Sequence, residues 1–292
     1  MQPVTPISIT AFALELAPAV AFGCASDRIA RAISRWPVAF RVTFPALFVV
    51  PYLLVSISAH IFQWQWFALY ALLPTAIAWL LIRAAVADPT QRGDWRDAFI
   101  LLVVGLAVDL RWFESAWPAG LRALNELFLV DAGLYGFLVI RKLSGTGFDF
   151  RLKWTDWKTG LRELLYFTPP VIALGLALGF IHPHRNLPGI GSALLRWIAI
   201  FFFTAVPEEL FFRAWVQNLL ERRIGRGAAL IAASVLFGLS HFNKRSAHFN
   251  WRYVLLATIA GIFYGRAWRE NRRVPASTIT HASVDWLWGL WF

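Results

Sequence analysis

The chain has 292 residues, of which 58% are hydrophobic and only 15% are charged, and its mean hydropathy is +0.56. Because about a quarter of a soluble domain is charged, this composition excludes a soluble enzyme and predicts a polytopic membrane protein. The net charge of +11 would suggest nucleic acid in a soluble protein, but here the basic residues fall between apolar segments, as in loops that face anionic lipid. We therefore expect the lipid bilayer as a partner and no nucleic acid.

The N-terminal segment and the cysteine content narrow the class further. A single cysteine, Cys24, excludes an intramolecular disulfide and a cysteine metal cluster. No Lys or Arg precedes Arg28, so the segment lacks the basic start of a cleaved signal peptide and is expected to stay on the mature protein. The excess of arginine over lysine is typical of a GC-rich bacterial genome, which favours a bacterial cytoplasmic membrane.

The first predicted helices lie before residue 83. Residues 9–25 are apolar but carry Glu15, and arginines at helical spacing follow them, which is typical of an interfacial helix. No charged residue occurs between Val42 and Ile82, and this length predicts two spans joined near the sequence HIFQWQW.

The next segments are less regular. The apolar run from Ala98 is short for a span, whereas residues 123–140 form a candidate span that carries Glu126 and Asp131 and should be buried among other helices. The long polar connection from Arg141 to Arg162 divides the chain. We expect an N-terminal transmembrane region over 1–159 and a second domain over 160–292.

The second half predicts five further spans, at residues 164–181, 192–220, 228–242, 253–268 and 274–292. The predicted fold is therefore an all-α polytopic transmembrane bundle of about eight or nine spans. With a cytoplasmic N-terminus, the inside loops hold 20 Arg or Lys residues and the outside loops hold 6, which favours this orientation. The outside count includes Arg185 and Arg245.

The sequence VPEELFFR, from Val206 to Arg213, places ionisable residues in an apolar segment, where they are costly and point to function. Glu208 and Glu209 face different sectors of a helix, whereas Glu209 and Arg213 are four residues apart and share a face. Glu209 thus has a local partner, and the unpaired Glu208 suits general acid/base work. The alternative is a helix end with a structural salt bridge.

Two later helices carry imidazoles. Phe237 and His241 share a face with small residues, and His281 lies four residues before Asp285, a spacing that suits an imidazole oriented by a carboxylate. His241 could instead be an interfacial residue, and the His281–Asp285 pair a structural hydrogen bond or part of a proton pathway. The remaining histidines are interpreted as surface groups: His60, His182, His184 and His248.

Three motifs occur in order over about 80 residues: EExxxR (Glu208, Glu209, Arg213), FxxxH (Phe237, His241) and HxxxD (His281, Asp285). Together they resemble the signature of the CPBP (Abi) intramembrane protease family, which is related to type II CAAX prenyl endopeptidases and includes bacteriocin-processing and self-immunity proteins. The resemblance covers about residues 160–292. Many members have Asn where this chain has Asp285.

The resemblance implies an intramembrane endopeptidase that cleaves a membrane-tethered or lipidated substrate near its C-terminus. It implies that Glu208 activates water, that His241 positions the water or binds a metal, and that His281 with Asp285 stabilises the oxyanion. Glu209, Arg213 and Phe237 would support the site.

The resemblance also leaves the cofactor open. Glu208, His241 and His281 could ligate one zinc ion, or the same groups could act without metal; no HExxH motif is present, and we favour the metal-free mechanism.

Two other functions fit the same sequence. A non-catalytic membrane scaffold or immunity protein would keep its cellular effect when Glu208 is replaced, and a proton-coupled transporter should show broken helices in two inverted halves, which the sequence lacks. The sequence carries no signal for an oligomeric state.

Overall fold

A computed structural model describes residues 5–183, 188–244 and 248–292, and within these ranges the chain is helical and has no strand. His184, interpreted from the sequence as a surface group, lies outside the described residues. Five helical segments there are long and apolar enough to cross a membrane: Pro6–Ile33, Val38–Ser58, Trp64–Ala87, Ala119–Ile140 and Ile190–Ile224. The predicted all-α membrane bundle is confirmed. Arg185 and Arg245, counted among the outside bases, lie outside the described residues.

The chain forms two compact units, Met1–Ser144 and Gly145–Phe292, so the second unit begins within the basic connection that the sequence marks as a division. The first unit contains α1 (Pro6–Ile33), α2 (Val38–Thr43), α3 (Val50–Ser58), α4 (Trp64–Ala87), α5 (Trp95–Asp109) and α6 (Ala123–Leu134). Short 3₁₀ segments cover Phe44–Val49, Glu114–Ala116 and Ala119–Leu121, and a π-helical segment covers Tyr135–Ile140.

Helix α1 differs from the interfacial helix that the sequence predicts. Thr5 caps it through a reciprocal pair of hydrogen bonds with Ser8, and the helix then runs for 28 residues with one kink at Ala25. Its Glu15 side chain is buried rather than held at a membrane surface. The helix is long and apolar enough to span a membrane. Glu15, the acid that argued against a span, is accommodated inside the unit.

The other predictions for the first unit agree with the structure. The two spans expected between residues 42 and 82 are confirmed as Val38–Ser58 and Trp64–Ala87, and the predicted burial of the span with Asp131 is confirmed. At one end of this unit the buried guanidinium of Arg141 donates to Asp97 Oδ1 over 2.9 Å and to Asp88 Oδ2 over 2.7 Å. This bridge ties the ends of α4 and α5 to the π-helical segment.

The second unit contains α7 (Trp154–Ala177), α8 (Ile190–Ile200), α9 (Val206–Glu209), α10 (Asn218–Ile224), α11 (Arg226–Leu239), α12 (Trp251–Asn271) and α13 (Val274–Trp291). Two π-helical segments, Phe201–Ala205 and Leu210–Gln217, flank α9, and the whole stretch from Ile190 to Ile224 is continuous. Small residues set the close packing of the other helices. A Cβ on Gly238 would lie 1.9 Å from Thr258 Oγ1 of α12, and one on Gly160 would lie 2.8 Å from Ala276 O of α13.

Candidate active site

Both acids of the EExxxR motif lie on α9, a single turn between two π-helical segments. π-Helical turns are rare and occur mostly at functional sites, because the wider turn shifts the side chains that follow it. Pro207 at the start of α9 removes one backbone donor, which fits a break in the regular hydrogen-bond pattern. The unusual backbone therefore coincides with the residues that the sequence singles out.

Glu209 lies at the centre of a buried chain of three charged or titratable side chains. Arg213 Nε donates to Glu209 Oε2 over 3.0 Å, and both side chains are 0% exposed. The other carboxylate oxygen, Oε1, lies 2.9 Å from Nδ1 of His281 on α13. Since a carboxylate only accepts hydrogen bonds, Nδ1 of His281 carries the proton in this arrangement. Arg213 thus fixes Glu209, and Glu209 fixes the tautomer of His281.

The Nε2 atom of His281 faces two further carboxylates. Glu208 Oε2 is 3.9 Å away and Asp285 Oδ2 is 3.6 Å away, so neither forms a direct hydrogen bond. Glu208 Oε2 is buried and has no hydrogen-bond partner among the described residues, although the side chain as a whole is 26% exposed. A buried acceptor of this kind needs a donor such as water.

Aromatic rings hold the imidazole of His281. Tyr264 stacks on it with ring centroids 4.5 Å apart, and Phe237 meets it edge-on at 5.6 Å. Phe237 also lies 4.9 Å from the ring of His241 and under the guanidinium of Arg213. The FxxxH motif therefore contributes a ring that touches the other two motifs.

His241 lies just after the end of α11 and is buried. Its Nδ1 is 2.9 Å from the carbonyl oxygen of Phe237, so Nδ1 carries the proton in the neutral ring and Nε2 remains an acceptor. The ring of Tyr253 on α12 packs against it at 4.8 Å. The position at the turn results from the helix ending at Leu239 rather than continuing to residue 242 as the sequence predicts.

An apolar cavity of about 100 Å³ reaches His241, His281 and Asp285. Its remaining walls are aromatic and aliphatic side chains from α7, α11, α12 and α13, including Phe167, Tyr253, Leu256, Val284 and Trp288. Glu208 is not among the residues that line this cavity, although its Oε2 lies 3.9 Å from Nε2 of His281. The cavity can take an apolar group next to the two imidazoles, whereas Glu208 is reached from its partly exposed side.

The proposed zinc ligands Glu208, His241 and His281 do not form a preorganised metal site. Among the described residues no three His, Cys, Asp or Glu side chains are grouped so that they could hold one ion. Nδ1 of His281 contacts Glu209 and Nδ1 of His241 contacts a backbone carbonyl, which leaves Nε2 of each ring as the atom that would have to bind an ion. The donor set as placed does not fit a three-ligand site, and the mechanism below uses no metal.

The structure brings all seven motif residues into one cluster, but it changes one pairing. Sequence spacing predicts that Asp285 orients His281, whereas the short contact to Nδ1 comes from Glu209, 72 residues away in the chain. Sequence reasoning also missed Tyr264 and Tyr253, which pack on the two imidazoles. Only the periodic apolar face of α12 hints at them, and that pattern is equally typical of a helix core.

The second unit thus brings a glutamate pair and two histidines together, on the segment that carries the three motifs. Residues 190–287, which include all seven motif residues, match the family described as Type II CAAX prenyl endopeptidase Rce1-like. The resemblance is confirmed over this segment, which matches the CPBP/CAAX protease family, a family of CAAX-type intramembrane endopeptidases. The chain has no significant match among curated proteins or among solved structures.

Proposed function

We propose that this protein is an intramembrane endopeptidase that hydrolyses a membrane-tethered or lipidated substrate near its C-terminus, with Glu208 as the general base. The observation that carries the proposal is the unpartnered Glu208 Oε2 beside His281, whose ring is held by the Glu209–Arg213 pair. Glu208 lacks a fixed partner and can therefore accept a proton, whereas Glu209 is committed to two partners and positions His281.

The proposed reaction begins with a water molecule at Glu208. The carboxylate takes one proton from this water, and the resulting hydroxide attacks the carbonyl carbon of the scissile peptide. The carbonyl oxygen becomes an oxyanion, and Nε2–H of a doubly protonated His281 donates to it while Nδ1–H stays on Glu209. When the C–N bond breaks, Glu208 returns its proton to the leaving amine.

Each remaining residue has a proposed part in this scheme. Asp285, 3.6 Å from Nε2, supports the positive charge on His281, and His241 orients the water or the substrate from the cavity side. Phe237 keeps the two imidazoles apart and covers the Arg213 guanidinium.

The apolar cavity supports the choice of substrate class. Its walls carry few polar groups besides His241, His281 and Asp285, so an apolar side chain or lipid-linked group would fill it while the peptide backbone passes the imidazoles. Burial of such a group positions the scissile carbonyl, which is a large contribution to rate in hydrolytic enzymes.

The test is turnover by purified protein in liposomes on a panel of membrane-tethered peptides with lipidated C-terminal regions. We expect Glu208→Gln to lower kcat by about 10²–10⁴-fold, the usual contribution of a positioned general base. Glu114→Gln is the matched control and should keep full turnover, because Glu114 lies in the first unit and its ion pairs among the described residues, with Arg111 and Arg122, are 3.6 Å and 3.8 Å long. Undiminished turnover by Glu208→Gln would refute the assignment and favour a non-catalytic scaffold.

A further inference from the structure

The first unit contains a second pair of acids that the proposed protease chemistry does not use. Glu15 on α1 is 2% exposed and Asp131 on α6 is 1% exposed, and the two helices pack against each other. Glu15 is near enough for a charge on it to act on Asp131, although no hydrogen bond joins the two carboxyls. Each residue lies nine positions from the nearer end of a segment long enough to span a membrane, which places both in its interior.

These carboxyls are unpartnered. Glu15 Oε1 and both oxygens of Asp131 are fully buried and have no hydrogen-bond partner among the described residues. The same unit pairs other buried acids fully: Asp97 accepts from Arg141 over 2.9 Å and also caps the start of α5. Basic partners are thus present in this unit but are not directed at Glu15 and Asp131.

The titratable side chain that interacts with Glu15 is a phenol, although arginines also occur on the surrounding elements. The titratable side chains on the elements packed against α1 and α6 are Tyr52 on α3, Tyr70 and Arg83 on α4, Arg96, Asp97 and Asp109 on α5, and Tyr135 on the π-helical segment. Of these, Tyr70 interacts with Glu15. Its hydroxyl already accepts from Trp117 and donates to Asn125 Oδ1 over 2.9 Å, so its one proton is committed to Asn125.

Two ionised carboxylates in this position would carry like charges in low dielectric with no donor to compensate them, which is among the most costly arrangements in a protein interior. A proton on each acid removes the charge and needs no further ligand. A metal cation would need several oxygen ligands, yet no group of three or more His, Cys, Asp or Glu side chains that could hold an ion occurs in the described parts of the chain.

We propose that Glu15 and Asp131 form an intramembrane proton-binding site that is loaded at neutral pH and that holds α1 against α6 only while it is loaded. Loss of the protons introduces two like charges between the helices and loosens α1. The site is independent of the proposed protease activity, because its residues and its measurements belong to the first unit.

Infrared spectroscopy of the purified protein in liposomes tests the site directly. At neutral pH in potassium buffer, wild-type protein should show the C=O stretching bands of protonated carboxyl groups, and Glu15→Gln and Asp131→Asn should each remove one component. Glu126→Gln, which alters an exposed carboxylate on the same helix α6, is the control and should leave these bands unchanged. Absence of the bands from wild-type protein would overturn the proposal, as would their loss on replacing potassium with sodium, which would indicate a metal cation instead.

The structural consequence has its own measurement. The thermal unfolding midpoint of wild-type protein should fall as the pH rises from about 4 into the alkaline range, because the folded state retains protons that the unfolded chain releases above its carboxyl pKa near 4. The double variant Glu15→Gln/Asp131→Asn carries neutral isosteres, so it should lose most of this shift and should unfold at or above the wild-type midpoint at neutral pH. A shift of equal size in the double variant would show that other groups cause it. It would overturn the proposal that the protonated pair holds α1 against α6.

Discussion

The pair formed by Glu209 and Arg213 allows a quantitative test by a double-mutant cycle. Both side chains are 0% exposed and are joined over 3.0 Å, so removing either one leaves a buried charge. Arg213→Met leaves Glu209 with His281 as a partner, and we expect a loss of about 3 kcal/mol in the free energy of unfolding. Glu209→Leu leaves the Arg213 guanidinium without any hydrogen bond among the described residues, since Nη1 and Nη2 have none already, and should cost about 5 kcal/mol.

The double variant Arg213→Met/Glu209→Leu removes both charges. Its loss should be smaller than the sum of the single losses by at least about 2 kcal/mol, the coupling expected for directly paired buried groups. The assay is denaturant unfolding of the purified protein in detergent, followed by circular dichroism for all four proteins under identical conditions. Additive losses, with a coupling near zero, would refute the inference that the pair acts as one buried unit and that Glu209 is the structural acid.

Further predictions concern packing and pH. Gly238→Ala should destabilise the protein by about 3 kcal/mol or more in the same unfolding assay, because its Cβ would collide with Thr258, whereas Gly227→Ala, with open space around its Cβ, should be neutral or slightly stabilising. The pKa of Asp88 is about 2: burial opposes this low value, but hydrogen bonds from backbone amides and from Arg141 outweigh it. The pKa of Asp88 in the folded protein lies below the usual value near 4. The free energy of unfolding of the first unit should therefore fall by about 2 kcal/mol as the pH falls from about 4 to below 2. Asp88→Asn should lack this acid-dependent loss in unfolding followed at each pH, and an identical acid profile would contradict the assignment.

Sequence patterns predicted the helical class and much of the site because both depend on local spacing. The Glu209–Arg213 contact follows from a separation of four residues on one helix, and the burial of Asp131 follows from an acid within an apolar run. The placement of Glu208, Glu209, His241 and His281 in one cluster agrees with the order of the motifs.

Contacts between distant helices were beyond this reasoning. Helical periodicity describes one helix at a time, so it could pair His281 with Asp285 but gave no information about Glu209, which faces His281 from another helix. The interpretation of α1 failed for a related reason. An acid at position 15 argues against a span only if nothing inside the protein accommodates it, and α6 supplies a buried neighbour with a second carboxyl.

The central claim is that Glu208 activates the water that cleaves a membrane-tethered substrate. The most direct measurement is mass spectrometry of membrane proteins from cells that lack this protein, cells with the wild type and cells with Glu208→Gln at equal expression. We predict that the deletion and Glu208→Gln cells accumulate the same uncleaved C-terminal peptides and that wild-type cells contain the processed forms. Processed forms in Glu208→Gln cells at the wild-type level would contradict the account.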